Sequence, residues 1–435
     1  MAVACGDLAI DTQDWAPWRR SGRAENPVMA SFPTRDVQVV RELARSAVEL
    51  AASEEYEFRR KRWRDVNGKR KPDRAPVWCR PAGAWRELIP PGSLACSDPF
   101  CRRAEQTLRQ HLYKHWVGDD HIFEPWWGVA AVWERDTDHT WGLPTGRQTM
   151  STDEGGFRYE HPVGTVEDYD RITLPAFTHN REKTQRAMEQ AAELLGDAMP
   201  VRMVCQPPLG PHQGTYLEQL RGMEPMLHDL AFHPRAVHRV MAKLSEGILR
   251  ALRVAEDSGL LTTNHHEPMC CSDPLEGEGG DGAVGLRHLW CAANSQEFQM
   301  VSPRMQEEFL LHYQIPVLQQ FGAVQYGCCE DLSQKIGIVL KIPNLRVFVS
   351  SYWTDLEKVI EACGATHTIM WRQPAALVAH AHDIEPIKRH LEDGMRRLRG
   401  GHYQVVLREL ETLRGHPERL REWARTAIAV AETFA

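Results

Sequence analysis

The sequence predicts an α/β fold: a (β/α)8 TIM-type barrel with an N-terminal helical extension and C-terminal helices. Three observations lead there. The chain has 435 residues, its composition carries no signature of disorder or of a membrane span, and from about residue 182 short apolar runs alternate regularly with stretches of helical periodicity. A barrel needs about 250 residues, so the length fits one barrel with large additions as well as two domains. The boundaries expected are an N-terminal arm and helical extension over 1–120, the barrel over 121–400 and a C-terminal helix over 401–435.

Hydrophobic residues make up 42% and charged residues 26% of the chain, which is ordinary for a globular protein. The net charge of −7 argues against a general polyanion binder, so nucleic acid is not an expected partner. A local run of Arg59, Arg60, Lys61, Arg62, Arg64, Lys69, Arg70 and Lys71 reads either as a phosphate-binding face or, more commonly for such runs, as a solvated helix face. No stretch of 18 apolar residues occurs, and no basic segment followed by an apolar one opens the chain. Neither a membrane span nor a signal peptide is therefore expected, and the expected location is cytoplasmic. In that reducing setting the 11 cysteines, with the adjacent pairs Cys270-Cys271 and Cys328-Cys329, suggest metal or reactive chemistry rather than disulfides.

The first 30 or so residues read as an arm, because Pro17, Pro27 and Pro33 interrupt any period. From Asp36 to about Asp65, Val40, Leu43, Ala44, Ala47, Leu50 and Ala51 trace a helical face, with Asp36 as N-cap, and a second helix covers about Asp98 to His115. Trp126 to Pro175 reads as strands and loops. The alternation then runs: helix Glu182 to Leu195, strand Val201 to Gln206, a helical region from Tyr216 to Gly259 broken at Pro234, and strand Leu260 to Asn264. It continues with helix Pro303 to Phe321, strand Ala323 to Tyr326, helix Leu332 to Ile342, strand Arg346 to Ser350, helix Thr354 to Ala362 and strand Thr366 to Met370. Such spacing implies parallel strands joined by right-handed crossovers. From Glu385 onward the chain reads as helical, broken at Gly400-Gly401 and Pro417.

In a barrel the chemistry sits at the C-terminal strand ends. That rule selects Asn264-His265-His266-Glu267 with Cys270-Cys271 nearby, then Tyr326-Gly327-Cys328-Cys329-Glu330, Ser350-Ser351-Tyr352-Trp353, and Trp371-Arg372-Gln373. Adjacent cysteines on a strand point to opposite faces, so a turn at Gly327 is needed to bring both inward. With His266, or His265 as reserve, Cys328 and Cys329 would offer nitrogen and sulfur ligands suited to zinc; the bland alternative is buried thiols acting as small hydrophobes. The glycine-rich acidic loop containing Glu276, Glu278, Gly279, Gly280 and Asp281 reads as a lid or as an exposed surface loop. Trp126, Trp127, Trp133 and Trp141 would suit a cationic or aromatic ligand, although core packing is the commoner use. His212, His228, His233 and His312 take no role.

Several segments resemble the uroporphyrinogen decarboxylase-like superfamily, which includes cobalamin- and zinc-linked methyltransferases. Arg74-Ala75-Pro76-Val77-Trp78-Cys79-Arg80-Pro81-Ala82-Gly83 resembles the signature in which an arginine grips a substrate carboxylate, and Arg80 occupies that place; the second arginine of the signature is Ala84. Gly210-Pro211 with Tyr216-Leu217 resembles the glycine-proline turn, and Glu297 through Pro316, with Val301-Ser302-Pro303 and Phe309, resembles the helix before the metal-binding strand. In the methyltransferases that strand ends in His-x-Cys, and a cysteine near the last strand completes a zinc site that activates a thiol. Cys328 is kept; Tyr326 replaces the histidine, Cys329 is added, and Trp371-Arg372-Gln373 holds no cysteine. Tyr-Gly-Cys-Cys-Glu looks like the motif of a poorly characterised branch.

The resemblance implies a methyltransferase, zinc-dependent, moving a methyl group between a small substrate and a thiol or corrinoid acceptor. The alternatives are a decarboxylase of a small carboxylic acid and a non-catalytic protein that binds a corrinoid partner. The expected catalytic residues are Glu267, Glu330 and Tyr326. Arg80, Asn264, Gln296, Ser350, Trp353, Trp371 and Arg372 are expected to bind substrate, and Cys328, Cys329, His266 and His265 to bind zinc. A small-molecule substrate, a corrinoid protein and a second copy in a homodimer are the expected partners.

Overall fold

The computed structural model of the chain describes residues 32–149, 157–275 and 283–435. The N-terminal arm and the lid or surface loop expected around Glu276 to Asp281 lie outside the described residues. The strands are β1 (Val77–Pro81), β2 (Trp127–Ala130), β3 (Trp133–Arg135), β4 (Gly146–Thr149), β5 (Phe157–Glu160), β6 (Phe177–His179), β7 (Val201–Val204), β8 (Trp290–Ala293), β9 (Ala323–Tyr326), β10 (Leu345–Ser350), β11 (Thr368–Gln373) and β12 (His402–Leu410). Six of them form one sheet in the order β1-β12-β11-β10-β9-β8, with every pairing parallel. β2 and β7 form a separate parallel pair, while β3 with β6 and β4 with β5 are antiparallel.

The first strand therefore lies beside the last, with Val77 opposite Val405. That neighbour relation curls the sheet as a barrel does; among the described residues no backbone ladder joins the six strands to the two. The gap between β7 and β8 is instead crossed by the segment Leu260 to Asn264, which is not a strand. Thr262 N donates to Cys205 O at 3.0 Å, and Asn264 Nδ2 reaches both Gln206 Oε1 (3.1 Å) and Trp290 O (2.9 Å) while its Oδ1 accepts from Trp290 N (2.8 Å).

The sheet is buried on both faces, as parallel sheets are. Val77, Cys79, Tyr326, Phe348, Ile369, Trp371, Val405 and Leu407 pack with the surrounding helices in the main core. Alternate residues (Trp78, Ala323, Val347, Val349, Met370 and Val406) face the other way, onto a plug made of Trp63, Val66, Ile122, Met269 and Cys271. The plug enters from the N-terminal ends of the strands. Thr368, the first residue of β11, donates to Val66 O (2.8 Å), and Arg346, the second of β10, to Asn67 O (2.9 Å). Gln404, the third of β12, donates to Asn67 Oδ1 (2.7 Å) and Met269 O (2.9 Å).

The single helix expected from Asp36 to about Asp65 is two, α1 (Thr34–Ala51) and α2 (Glu54–Asn67), broken before Ser53, whose side chain caps α2 by accepting from Tyr56 N; the helix expected from Asp98 to His115 is present as Pro99–Val117. Asp36 lies inside α1 rather than capping it, and its carboxylate accepts from Ser97 N and Asp98 N, both at 2.8 Å. The arginines of the basic run on α2 are paired with carboxylates: Arg62 with Asp73 and Asp120, Arg59 with Glu55, and Arg64 with Glu57. These pairs brace the plug, while Lys69 and Lys71 at the end of the run are exposed.

Further along, the region from Tyr216 to Gly259 is three helices, Gln213–Arg221, Met223–Phe232 and Pro234–Asp257; Gly222, at φ +86°, makes the first break that the Pro234 signal alone did not mark. Only Ile336–Val339 is helical in the expected helix Leu332 to Ile342. The largest correction is at the C-terminus. Within 401–435, read as helix, His402–Leu410 forms β12 in the middle of the sheet between β1 and β11, and only Glu418–Thr433 is helix. β1 likewise lies within 1–120, so the sheet draws strands from both expected extensions.

Candidate active site at the C-terminal strand ends

β9 ends in Tyr326 and Gly327 turns the chain. Its φ is +110°, and a Cβ there would sit 3.0 Å from Val349 O and 3.1 Å from the Leu332 side chain, so the turn needs glycine. Past it the Cys328 and Cys329 sulfurs lie 3.9 Å apart, and Arg372 Nη1 donates to both, at 3.3 Å and 3.5 Å. The turn has brought two adjacent thiols to one side, as the sequence required. Cys328 is buried and Cys329 partly exposed. The hydrogen bond with Cys329 and burial push the Cys328 thiol pKa well up, while Arg372 and Arg408 pull it down.

Arg372 faces inward, opposite Val406 in the β11–β12 register, and Arg408 lies two residues beyond Val406 on the same strand. Arg80 stands at the end of β1, where the pairing with β12 shifts register between Cys79 and Pro81. Three guanidiniums on neighbouring strands thus cap the apolar interior. Arg372 and Arg408 are 3% and 4% exposed. Burial lowers the Arg408 pKa and its neighbours Arg372 and Arg80 lower it further, while Cys328 and Cys329 act in the opposite sense. Arg408 was not a sequence candidate, because its segment reads as helix; the alternation of Tyr403, Val405 and Leu407 against Gln404, Val406 and Arg408 was the available signal.

Glu330 is a tie rather than a free acid. Its carboxylate accepts from Ser295 N (2.8 Å), Ser295 Oγ (3.1 Å) and Cys328 N (2.9 Å), and its carbonyl accepts from Ser351 Oγ (2.8 Å). It so fixes the ends of β8, β9 and β10 relative to one another. Tyr326, expected to be catalytic, points into the helical layer, where its hydroxyl donates to Gln314 Oε1 at 2.9 Å; burial and Glu330 raise its pKa well above the ordinary value. Ser350 and Trp371 are register partners on that same outer face. Trp371 lies against Gly394, where a Cβ would come within 2.1 Å of the indole, and tilts against His390 with ring centres 5.1 Å apart. Trp353 is 67% exposed at the rim beside Tyr352, and Gln296 is partly buried in the loop after β8. Close by, burial raises the Glu297 carboxyl to a pKa of about 7, and Thr215 Oγ1 donates to it at 2.7 Å.

The other cysteine pair stands elsewhere. From Asn264, whose amide is engaged in crossing the gap beside β8, the chain enters the plug. Asn67 Nδ2 donates to Met269 O (3.0 Å) and Cys271 O (2.7 Å), and the Cys271 thiol faces Arg60 O. His266 Nε2 lies 3.0 Å from Thr263 Oγ1; burial, then His265, Arg60 and Arg202, lower its pKa to about 4. Burial, then Glu124, raises Glu267 to about 7. His265, His266 and Glu267 therefore belong to the loop that feeds the plug at the N-terminal strand ends, away from Cys328. The four expected zinc ligands do not converge, because one pair follows β9 upward and the other follows the gap-crossing segment downward. Among the described residues, His228, Asp229 and His233 form the group of metal-ligating types within 4.8 Å of one another, and Asp229 is already held by Arg221 (2.8 Å) and Tyr169 (2.9 Å).

No family model matches the chain, and no curated protein matches it. Among solved structures it is similar to a methyltransferase from Methanosarcina mazei, at 14% identity and a TM-score of 0.49, covering 86% of this chain and 98% of that one. A likeness of that size carries no argument about activity.

Proposed function

We propose that the protein is a methyltransferase whose reacting centre is the Cys328-Cys329 pair at the C-terminal ends of the strands, and that the six- and two-stranded sheets complete one (β/α)8 barrel around it. The observation that carries the reading is the double contact of Arg372 with both sulfurs. Thiolate is the reactive form of cysteine, and a guanidinium that donates to sulfur stabilises it as it forms. Sulfur is also a soft nucleophile able to take a methyl group: the S–C bond forms as the donor's bond to the methyl carbon breaks. Because His265 and His266 lie at the other end of the strands, the expected His-Cys zinc site does not fit this geometry, and the proposed chemistry uses the thiols and the arginine alone. The methyl group's other carrier is a small substrate or a corrinoid on a partner protein.

The test is transfer of isotopically labelled methyl from methylcobalamin and, separately, from small methylated thioethers and amines, read as labelled Cys328 or labelled exogenous thiol. Labelling that Cys328→Ser abolishes supports the reading; no labelling from any donor removes it. A second reading, decarboxylation of a small carboxylic acid, draws on the placement of Arg80 beside Arg372 and Arg408. Release of carbon dioxide from simple acids, unaffected by Cys328→Ser, would select it.

A further inference from the structure

The helical layer holds a second group of donor side chains. His228 and Asp229 stand on the last turns of helix Met223–Phe232, and His233 joins that helix to Pro234–Asp257. The ligating atoms of the three lie within 4.8 Å of one another, and His228 Nδ1 is 3.7 Å from Asp229 Oδ1. Two exposed histidines alone are an ordinary surface feature; the carboxylate beside them is not. Asp229 is 1% exposed, and Arg221 Nε (2.8 Å) and the Tyr169 hydroxyl (2.9 Å) both donate to its Oδ2, whereas Oδ1 takes a longer bond from Arg221 Nη2, 3.2 Å. A carboxylate oxygen has two acceptor positions, so among the described residues Oδ1, the oxygen nearer His228, keeps one for an ion. Arg221 is itself anchored, since its Nη1 donates to Val163 O and Gly164 O. Burial works against the charged form of Asp229, but the hydrogen bonds from Arg221 and Tyr169 outweigh it and hold the pKa below the ordinary value. The group is therefore an oriented anion with two imidazoles at its side.

We infer that His228, Asp229 and His233 form a binding site for a divalent transition metal of the zinc class, with Arg221 and Tyr169 as the outer groups that aim the carboxylate. Imidazole nitrogen with carboxylate oxygen suits zinc, cobalt or nickel rather than calcium or magnesium, which take oxygen ligands. Metal-ligating carboxylates are themselves hydrogen-bonded, and Arg221 and Tyr169 supply that support. Donors around a tetrahedral zinc stand about 3.4 Å apart at bond lengths of about 2.1 Å. Closure on an ion therefore needs only small turns of two exposed imidazoles, while the buried carboxylate stays where it is. Three protein donors leave the remaining position to water. The ion pins the end of one helix to the start of the next, because His233 is the residue at which the first ends and the second begins. The site shares no residue with Cys328, Cys329, His265 or His266, and it stands whether or not the thiols carry methyl transfer.

The experiment is titration of the full-length protein with cobalt(II), read in the visible spectrum, with zinc(II) as competitor. Saturable binding of about one equivalent per chain is expected, in a spectrum without the sulfur-to-cobalt charge transfer that cysteine ligation produces. Changing an outer group of a metal site costs about 10- to 100-fold in affinity, so loss of a ligand in His228→Ala or His233→Ala should weaken this binding roughly a hundredfold or more. Both histidines are exposed and the His233 side chain makes no helix-capping hydrogen bond, so neither change removes a contact the fold depends on. Tyr169→Phe, which releases one hydrogen bond on Asp229 and keeps the ring, should weaken binding about tenfold. His382→Gln, at an exposed histidine elsewhere, should leave it unchanged. On the unaltered protein, zinc(II) should protect His228 and His233 from carbethoxylation by diethyl pyrocarbonate and leave His382 as reactive as before. Absence of saturable binding overturns the site. So does binding that both histidine variants retain, or binding whose whole spectrum is that of sulfur ligation.

Discussion

Cys270-Cys271 and Cys328-Cys329 are the same dipeptide at opposite ends of the strands, and their surroundings divide the molecule into two regions. Near the first pair the neighbours are the Asn264 and Glu267 carbonyls, the Arg60 carbonyl and a plug of Trp63, Val66, Ile122 and Met269. Beside the second stand Arg372, Arg408 and the turn at Gly327. Burial is the largest cause raising both thiols of the first pair, with the Glu267 charge adding to it at Cys270. Two arginines oppose the rise at Cys271 (Arg64 and Arg60) and two at Cys328 (Arg372 and Arg408), but only at the second pair does a guanidinium donate directly to the sulfurs. The lesson is that a thiol's chemistry is set by which charges share its burial, not by its neighbour in sequence.

The division is open to direct attack. Replacing Cys328 by serine keeps the volume and removes the nucleophile, so methyl transfer should fall roughly a thousandfold, whereas Cys270→Ser should leave the rate within about twofold. Steady-state assays of the two proteins compare the ends directly, and equal losses would erase the distinction. The converse holds for stability. Asn67 is fully buried and joins α2 to Met269, Cys271 and Gln404. Asn67→Ala should cost about 3 kcal/mol by stranding those groups, with little change in rate per folded molecule, as denaturant titration alongside kinetics would read.

A smaller effect sharpens the upper end. Arg372→Lys keeps a charge but loses the planar guanidinium whose Nη1 donates to both sulfurs, so turnover should drop about tenfold or more. Since the Arg372 charge lowers the Cys328 pKa, Arg372→Gln, which removes that charge, should also move the rising limb of the pH-rate profile to higher pH. An unmoved profile would leave Arg372 a packing residue only.

The smallest effect lies in the plug. His266 is neutral in the folded state, with a pKa lowered from 6.5 to about 4, so unfolding takes up a proton and stability rises with pH across that window. Glu267 is raised from 4.5 to about 7, so folding favours its protonated form and stability falls with pH across that one. The two neighbours oppose each other, and the parent protein should show a nearly flat response between pH 4.5 and 6.5. Glu267→Gln should unmask the rise and His266→Gln the fall, each on the order of 1 kcal/mol per pH unit at most. Denaturation midpoints across pH 4 to 8 would show it, and parallel slopes in both variants would contradict the opposition.

Much of the layout was legible without coordinates. Short β-rich runs at Ala323–Tyr326, Leu345–Ser350 and Thr368–Gln373, separated by helical stretches, mark a parallel sheet because a strand buried on both faces needs continuous apolar residues. Gly327 after β9 marks a turn, since a positive φ against Val349 leaves no room for a side chain. Those signals are local, and local chemistry determines them.

Tertiary structure alone decided the rest. Whether Trp371 or Arg372 faces inward is a matter of strand phase, which the pairing with β12 fixes and the sequence leaves free by one residue. His402–Leu410 follows a helix and a Gly-Gly pair, and although Tyr403, Val405 and Leu407 alternate, its place in the middle of the sheet is decided only by insertion between β1 and β11. Likewise, the direction taken by the chain at Asn264 depends on Gln206 and Trp290, neighbours 58 and 26 residues away. That long-range crossing carries His265, His266 and Cys270-Cys271 to the plug and leaves Cys328-Cys329 with the arginines. Residue types announce what chemistry a chain can do; which of them meet is settled by contacts that no local pattern encodes.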